Sequence, residues 1–280
     1  MKLVVNKESE LYDYLRDNLN ESKNTIKGFL TKRMITVNNK VVTKYNHIVK
    51  VNDEIVIGNT KIENVANKID IIYEDEHIIA VNKPASVLTI ATEKEKDRTL
   101  YNWVSNYVKE SNRKNKIFII HRLDKDTSGI VIFAKDEKTK NMFQDNWNDN
   151  VKRTYLAVVH GKTDKEKTLI INMSESKDGL NTFVSSKGDK TITSYKTIKS
   201  SDLYSYIEID IKTGKKNQIR VALSHDGNPI LGDKKYGIKD DSKRMMLHAS
   251  KLEFINPVNK KKMVLESKPD KLFNYYFKNI

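Results

Sequence analysis

The sequence contains no cysteine, which excludes disulfides, thiolate metal sites and cysteine nucleophiles and suits a reducing cytosol. It has no glycine-rich phosphate loop, no internal repeat and no low-complexity tract. It has no apolar run long enough to span a membrane, and Met1-Lys2-Leu3-Val4-Val5 meets charged residues at once, so a soluble cytoplasmic protein is expected. His121, His225 and His248 have neither the spacing nor the carboxylate companions of a metal site; neither a metal nor a cofactor is expected. Proline is scarce, with 4 residues in 280. What the chain has in excess is positive charge: 51 basic against 37 acidic residues, a formal +14. Such an excess points to a polyanion, because neutralising phosphates releases counterions. Abundant Lys, Asn and Ile also fit an AT-rich genome, which raises Lys everywhere, so charge alone leaves a nucleic-acid partner open.

The most informative stretch runs from Ile119 to Phe133. Ile119-Ile120 and Ile130-Val131-Ile132-Phe133 read as strands, with Thr127-Ser128-Gly129 supplying turn chemistry between them. Within the loop, Asp124 lies beside Arg122 and Lys125, cations that favour an ionised carboxylate aimed into a cleft. An Asp in a turn also caps its own backbone, and spacing alone separates neither reading.

The run His121-Arg122-Leu123-Asp124-Lys125-Asp126-Thr127-Ser128-Gly129 resembles the H-R-L-D-x-x-T-S-G signature of the ribosomal large-subunit type (RluA-type) pseudouridine synthases. Other segments agree. Ile71 to Pro84 resembles the family's opening hairpin, which begins I-x-Y-E-D and ends V-x-K-P, with Lys83 and Pro84 read as scaffold; Leu88-Thr89-Ile90 departs from the usual His-Pro ending. Arg153 to Gly161 resembles [K/R]-x-Y-x-A-x-V-x-G. Strand alternation runs into Lys212 to Leu223, which resembles T-G-R-x-x-Q-[I/L]-R-V-H-L, with Lys215-Lys216-Asn217 in place of R-T-H. Pro229 to Gly237 resembles P-I-x-G-D-x-x-Y-G, and Leu247-His248-Ala249 the family's L-H-A strand.

The resemblance implies an RNA pseudouridine synthase, in which Asp124 is the catalytic residue, Tyr155 the active-site tyrosine and Arg220 the cation paired with Asp124. It further implies that Leu247 forms the wall of the base pocket and that His121, Arg122 and Gln218 contact RNA. In isolation a strand arginine is usually a surface residue and a strand tyrosine a packed one, so the roles of Arg220 and Tyr155 rest on the match. Trp103, on the inner stripe of a helix from Thr99 to Val108, reads as core.

Upstream, Leu11, Leu15 and Leu19 recur every four residues as one short helix. Ser22 is an N-cap for a second helix through Arg33, carrying Ile26, Phe29 and Leu30 on one face and Lys23, Lys27, Lys32 and Arg33 elsewhere. A hairpin over Ile35 to Val42 and a strand over Asp53 to Ile57 follow. Two helices and a small sheet resemble an S-four-type RNA-binding domain, with Asn39 and Asn52 where that family usually has Gly; Asn tolerates left-handed backbone. Gly58 to Lys68 reads as linker.

The expected architecture is α+β: an RNA-binding domain over residues 1–60 and a synthase domain over 61–280 built on a long, mixed, mainly antiparallel sheet. The expected partner is RNA, ribosomal before transfer RNA, and a monomer is expected. Two rivals remain at this level: a catalytically silent ribosome assembly factor on the same fold, and an aspartate-nucleophile hydrolase of nucleosides. Intact Asp124, Tyr155 and Arg220 oppose the first; a basic domain without use for a small substrate opposes the second.

Overall fold

Leu11, Leu15, Ile26 and Leu30 close one apolar core, while the strands after Ile69 build others. The computed structural model describes residues 1–31, 34–38, 40–58, 69–93, 95–145 and 147–277. The chain divides into two units, Met1–Lys68 and Ile69–Ile280.

In the first unit, strands β1 (Lys2–Val4) and β2 (Ser9–Glu10) precede helices α1 (Leu11–Asn18) and α2 (Lys23–Thr31). Strands β3 (Ile35–Val37), β4 (Lys40–Val41), β5 (Ile48–Val49) and β6 (Glu54–Ile57) follow. One sheet runs β1-β6-β3-β4, and β2 pairs with β5. Ser22 caps α2, its Oγ accepting from the Thr25 N–H at 3.1 Å. Lys23 and Lys27 are exposed on that helix, whereas Lys32 and Arg33 lie outside the described residues, as do Asn39 and residues 59–68 of the expected linker. Asn52 adopts φ +74°, the left-handed backbone expected of it. Strand β1 is unanticipated, because three residues are too short to show alternation; its place is fixed by antiparallel pairing, Lys2 opposite Val56.

The second unit opens with hairpin β7 (Asp70–Glu74) and β8 (Ile78–Lys83), then α3 (Leu100–Ser111), β9 (Phe118–Ile119), β10 (Ser128–Ala134), α4 (Glu137–Gln144) and α5 (Trp147–Asn150). It continues through β11 (Val151–His160), β12 (Glu166–Glu175), β13 (Thr182–Val184), β14 (Asp189–Ser200), β15 (Tyr204–Ile211) and α6 (Gln218–His225). Strands β16 (Leu247–Ile255) and β17 (Lys262–Glu266) and helix α7 (Leu272–Tyr275) complete it. The sheet order is β13-β12-β14-β15-β11-β16-β10-β8-β7, with β17 on β16 and β9 on β10. Of the described pairings in it only β10 with β16 is parallel. Strands β8 and β10 bury both faces: Ile78, Ala80, Ile130 and Ile132 pack beside Phe143 and Phe254. Ile79, Val81, Val131 and Phe133 pack on the other side against Leu100, Val104 and Val108 of α3. Thr99 caps α3, accepting from Asn102 N–H at 3.2 Å, and Trp103 is partly buried against that core. Among the described residues no helix is long and apolar enough to cross a membrane.

Two local readings need correction. Thr127-Ser128-Gly129 does not form the turn: the Thr127 N–H bonds to the Asp124 carbonyl at 3.2 Å, so the turn is 124–127, and Ser128 already begins β10. Gly129 is required for a different reason. It sits at φ +115°, where a Cβ would stand 2.2 Å from the Ala249 carbonyl oxygen on β16. Nor does the strand continue through Lys212 to Leu223. Strand β15 ends at Ile211, Asn217 turns left-handed at φ +53°, and α6 begins at Gln218. Gln218 through Leu223 are all buried, so this helix shows no polar face, and its β-branched residues imitate a strand.

Candidate active site

Asp124 stands at the start of the 124–127 turn, and the chain on either side of it is pinned. The Thr89 hydroxyl, 2% exposed, donates to the Leu123 carbonyl at 2.8 Å and accepts from the Leu123 N–H at 3.1 Å. The ammonium of Lys83, fully buried, donates to the carbonyls of Pro84, Val87 and Lys125 at 3.0, 2.7 and 2.9 Å. Burial pushes its pKa down to about 7 against the pull of Asp126 and Asp124. Three acceptors need three N–H donors, which only the ammonium has. Lys83 is thus the scaffold residue the sequence suggested, and Thr89 shows what the departing Leu88-Thr89-Ile90 segment does: it holds the residue before Asp124.

A cavity of about 540 Å³ opens over this turn, lined by Asp124, Tyr155, Arg220 and Leu247 together with His121, Arg122, Arg153 and Gln218. Leu247 is 3% exposed at the start of β16. Tyr155 reaches the cavity from β11 at a bulge, where pairing with β16 shifts between Thr154 and Tyr155; a bulge re-aims a side chain in this way. Burial, with the Asp124 charge adding to it against the opposing pull of Arg153, pushes the Tyr155 hydroxyl up to about 12, so it is protonated at neutral pH.

Arg220 reaches Asp124, with Nη1 3.4 Å from Oδ2, but that is its longest contact. Its main partner is Asp233, which accepts from Nε at 2.7 Å and from Nη2 at 2.8 Å. Asn217 accepts from Nη1 at 2.8 Å, and the guanidinium lies 4.9 Å over the Tyr236 ring. The expected Arg220–Asp124 pair is present but is the weaker of two: Arg220 sits on a helix rather than a strand, clamped by Asp233, and gives Asp124 one N–H. Burial would raise the Asp233 pKa, yet the forked hydrogen bonds and charge of Arg220 and two backbone N–H groups hold it low. Asp233 was visible only as part of the P-I-x-G-D match, and nothing in the spacing linked it to Arg220.

One expected RNA contact is also corrected. Gln218, 2% exposed, spends its amide on the fold: Oε1 accepts from Thr213 Oγ1 and Lys215 N, and Nε2 donates to Ile192 O and Thr193 Oγ1. It ties α6 to β14 and has nothing left for RNA. His121 Nε2 accepts from the Ile132 N–H at 3.1 Å, and its ring stacks on Trp147 with centroids 4.5 Å apart. Burial and the charge of Arg153 push it down to about 3, so it contributes a neutral ring and no charge. Arg122 is exposed and borders both the main cavity and a second one of about 190 Å³ across the Asp124 turn. Among the described residues no group of His, Cys, Asp and Glu could hold a metal.

A family model described as RNA pseudouridylate synthase matches residues 77–225, over half of the chain. This chain belongs to that family: it is an RNA pseudouridine synthase, an isomerase, of the RluA type. It is 31% identical to the uncharacterized RNA pseudouridine synthase YhcT of Bacillus subtilis, covering 95% of this chain and 93% of that protein. It is 32% identical to ribosomal large subunit pseudouridine synthase D of Borreliella burgdorferi, over 74% of this chain and 69% of that one. It is 27% identical to tRNA pseudouridine synthase C of Vibrio parahaemolyticus, over 75% and 94%. The solved structure of human RNA pseudouridylate synthase domain containing 4 shares the fold, with a TM-score of 0.61 at 22% identity over 73% of this chain and 90% of that one.

Proposed function

We propose that this synthase isomerises uridines in structured RNA, in the first place large-subunit ribosomal RNA, working as a monomer with Asp124 as its catalytic carboxylate. The observation that carries the reading is that Asp124, Tyr155, Arg220 and Leu247, from four separate stretches of sequence, line one cavity. A stacked uridine cannot reach that depth, so the nucleotide is flipped out at an unstacking cost of a few kcal/mol. The uracil is detached at its ribose nitrogen, turned and rejoined through carbon 5. Leu247 packs against the base, and the Tyr155 ring stacks on it. Tyr155 enters as the neutral phenol; to take the carbon 5 proton it first passes its own proton to solvent water, a loss that the Arg153 charge eases. Arg220 keeps Asp124 aimed through one N–H while Asp233 keeps Arg220 aimed. Arg122, exposed at the rim, stacks in the gap left by the flipped nucleotide. The first unit acts as an S-four-type RNA-binding domain, meeting phosphates through Lys23, Lys27, Lys32 and Arg33.

The test is to map pseudouridines in RNA from cells with the parent chain, without it, and with Asp124→Asn. Sites in large-subunit ribosomal RNA that vanish in the latter two support the proposal; loss confined to transfer RNA redirects the substrate, and persistence of every site in the Asp124→Asn cells removes Asp124 from catalysis.

A further inference from the structure

One buried charge lining the main cavity has no carboxylate partner among the described residues. Arg153 is 4% exposed on β11, yet among the described residues no carboxylate pairs with it. Its Nη2 donates to the carbonyls of Lys212 at 3.1 Å and Ile211 at 3.5 Å, which fix the guanidinium plane. Its Nε is buried without a hydrogen-bond partner among the described residues, and both of its described hydrogen bonds are made by Nη2, leaving Nη1 without one there. Asp124, the carboxylate nearest in function, is turned to Arg220 instead. The backbone makes room for this arrangement: a Cβ on Gly214 would stand 2.7 Å from Arg153 Nη1. A buried cation with open donors is expensive to keep, and such donors are retained where an anion arrives to meet them. Arg153, Gly214, Lys215 and Lys216 all border the same cavity as Asp124 and Tyr155.

Resting on the synthase reading of that cavity, we propose that the Arg153 guanidinium is the seat for one phosphodiester of the RNA strand adjoining the flipped uridine. A phosphodiester is the anion that an RNA strand brings in, and Nη1, which no described residue engages, can donate a charge-assisted hydrogen bond to one of its free oxygens. Fixing one phosphate beside the pocket sets how far the flipped nucleotide swings in, so Arg153 is a positioning residue for the sugar over Asp124. It touches neither the scissile bond nor the base. The competing role is service to Tyr155 alone, two residues along the same strand, where a cation would ease loss of the phenol proton without meeting RNA.

The experiment uses the full chain and single-stranded pentauridylate, binding being read directly so that it stands apart from turnover. One set of probes carries a neutral methylphosphonate at a single linkage, moved along the strand. With the parent protein, one linkage position weakens binding by about 10- to 100-fold, the loss of a charge-assisted contact, and the others weaken it far less. Arg153→Met lowers affinity for the unmodified probe by a similar factor, reduces the salt slope by about 0.7, and makes the sensitive linkage indifferent. Gly214→Ala, which displaces Nη1 without removing charge, weakens binding in the same direction. Equal losses at every linkage of the parent, or losses that simply add in Arg153→Met, overturn the proposal and leave Arg153 to Tyr155. The parent scan needs no variant to fold. Failure of the synthase reading shows separately, as unchanged pseudouridine content in RNA from Asp124→Asn cells.

Discussion

Arg220 gives Asp233 two hydrogen bonds, at 2.7 and 2.8 Å, and gives Asp124 one of 3.4 Å. Asp124 thus shares a cation whose charge is largely taken. Replacing Arg220 by Met strands Asp233, whose side chain is 1% exposed. An uncompensated buried carboxylate costs roughly 3–5 kcal/mol. Urea unfolding at neutral pH should therefore show a loss of that order, alongside a large fall in single-turnover rate. Arg220→Lys should recover part of the stability and little of the rate, because a point charge cannot fork to Asp233 and still reach Asp124. A methionine variant as stable as the parent would contradict the clamp.

Asp124 is a different case, being a quarter exposed on a turn held by other residues, with a side chain 26% accessible. Asp124→Asn should reduce single-turnover pseudouridine formation by about 10²- to 10⁴-fold or more while shifting unfolding free energy by less than about 1 kcal/mol. Substantial turnover by the variant would end its catalytic assignment.

Thr89 acts on Asp124 through the chain. Thr89→Val is nearly the same shape but leaves the Leu123 N–H and carbonyl without their partner. A cost of about 1–3 kcal/mol is expected, together with a lower kcat at little changed RNA affinity. Parallel equilibrium binding and single-turnover measurements check this; a variant weakened only in affinity would place Thr89 in RNA contact instead.

Acid should weaken the fold through two histidines. Burial and the Arg153 charge hold His121 at about 3; burial first, with Arg244 adding to it against a bond to the Ser267 carbonyl, holds His248 at about 4. In the unfolded chain each titrates near 6.5. Between pH 6.5 and 4 the unfolded chain takes up protons that the folded chain refuses, so stability falls as pH falls, and above 6.5 these rings contribute no slope. Urea midpoints at pH 7.5, 6.0 and 5.0 should decline, and His121→Phe should decline less steeply across that range. A flat parent profile would mean that the rings are not held neutral.

Lys23 and Lys27 stand exposed on α2. Changing both to Gln should weaken RNA binding across sequences and lower the salt slope by about two, with turnover on saturating RNA near the parent. An unaltered slope would point the first unit to another role.

Much of this was legible in the sequence because the chemistry is local. His121 through Gly129 sit in one loop, and the alternation around them marks β10 plainly. Strand-to-strand facts were not. The Arg220–Asp233 clamp joins a helix to a turn 13 residues on, and no period or motif spacing predicts that a forked pair will form there. Gln218 looked like a contact residue because a buried amide and an RNA-facing one are the same letters; its four internal hydrogen bonds appear only in three dimensions. Helix α6 was misread for the opposite reason to most helices: buried on all sides, it has no polar stripe to betray its turn. Arg153 was quoted as part of a motif, and only its burial without a carboxylate sets it apart from any other basic residue.

The close pairing of Gly129 with Ala249 has a consequence for synthesis. The Asp124 turn emerges from the ribosome early, but the strand that seats it, β16, is made about 120 residues later, and the Ser128 hydroxyl meets the His248 ring only then, at 2.8 Å. Contacts of that separation form last and slowly. A nascent or prematurely ended chain that stops before Leu247 carries Asp124 on a loop that lacks β16 beside it and the Leu247 side of the cavity. The cavity around Asp124 is therefore complete only once translation has passed β16.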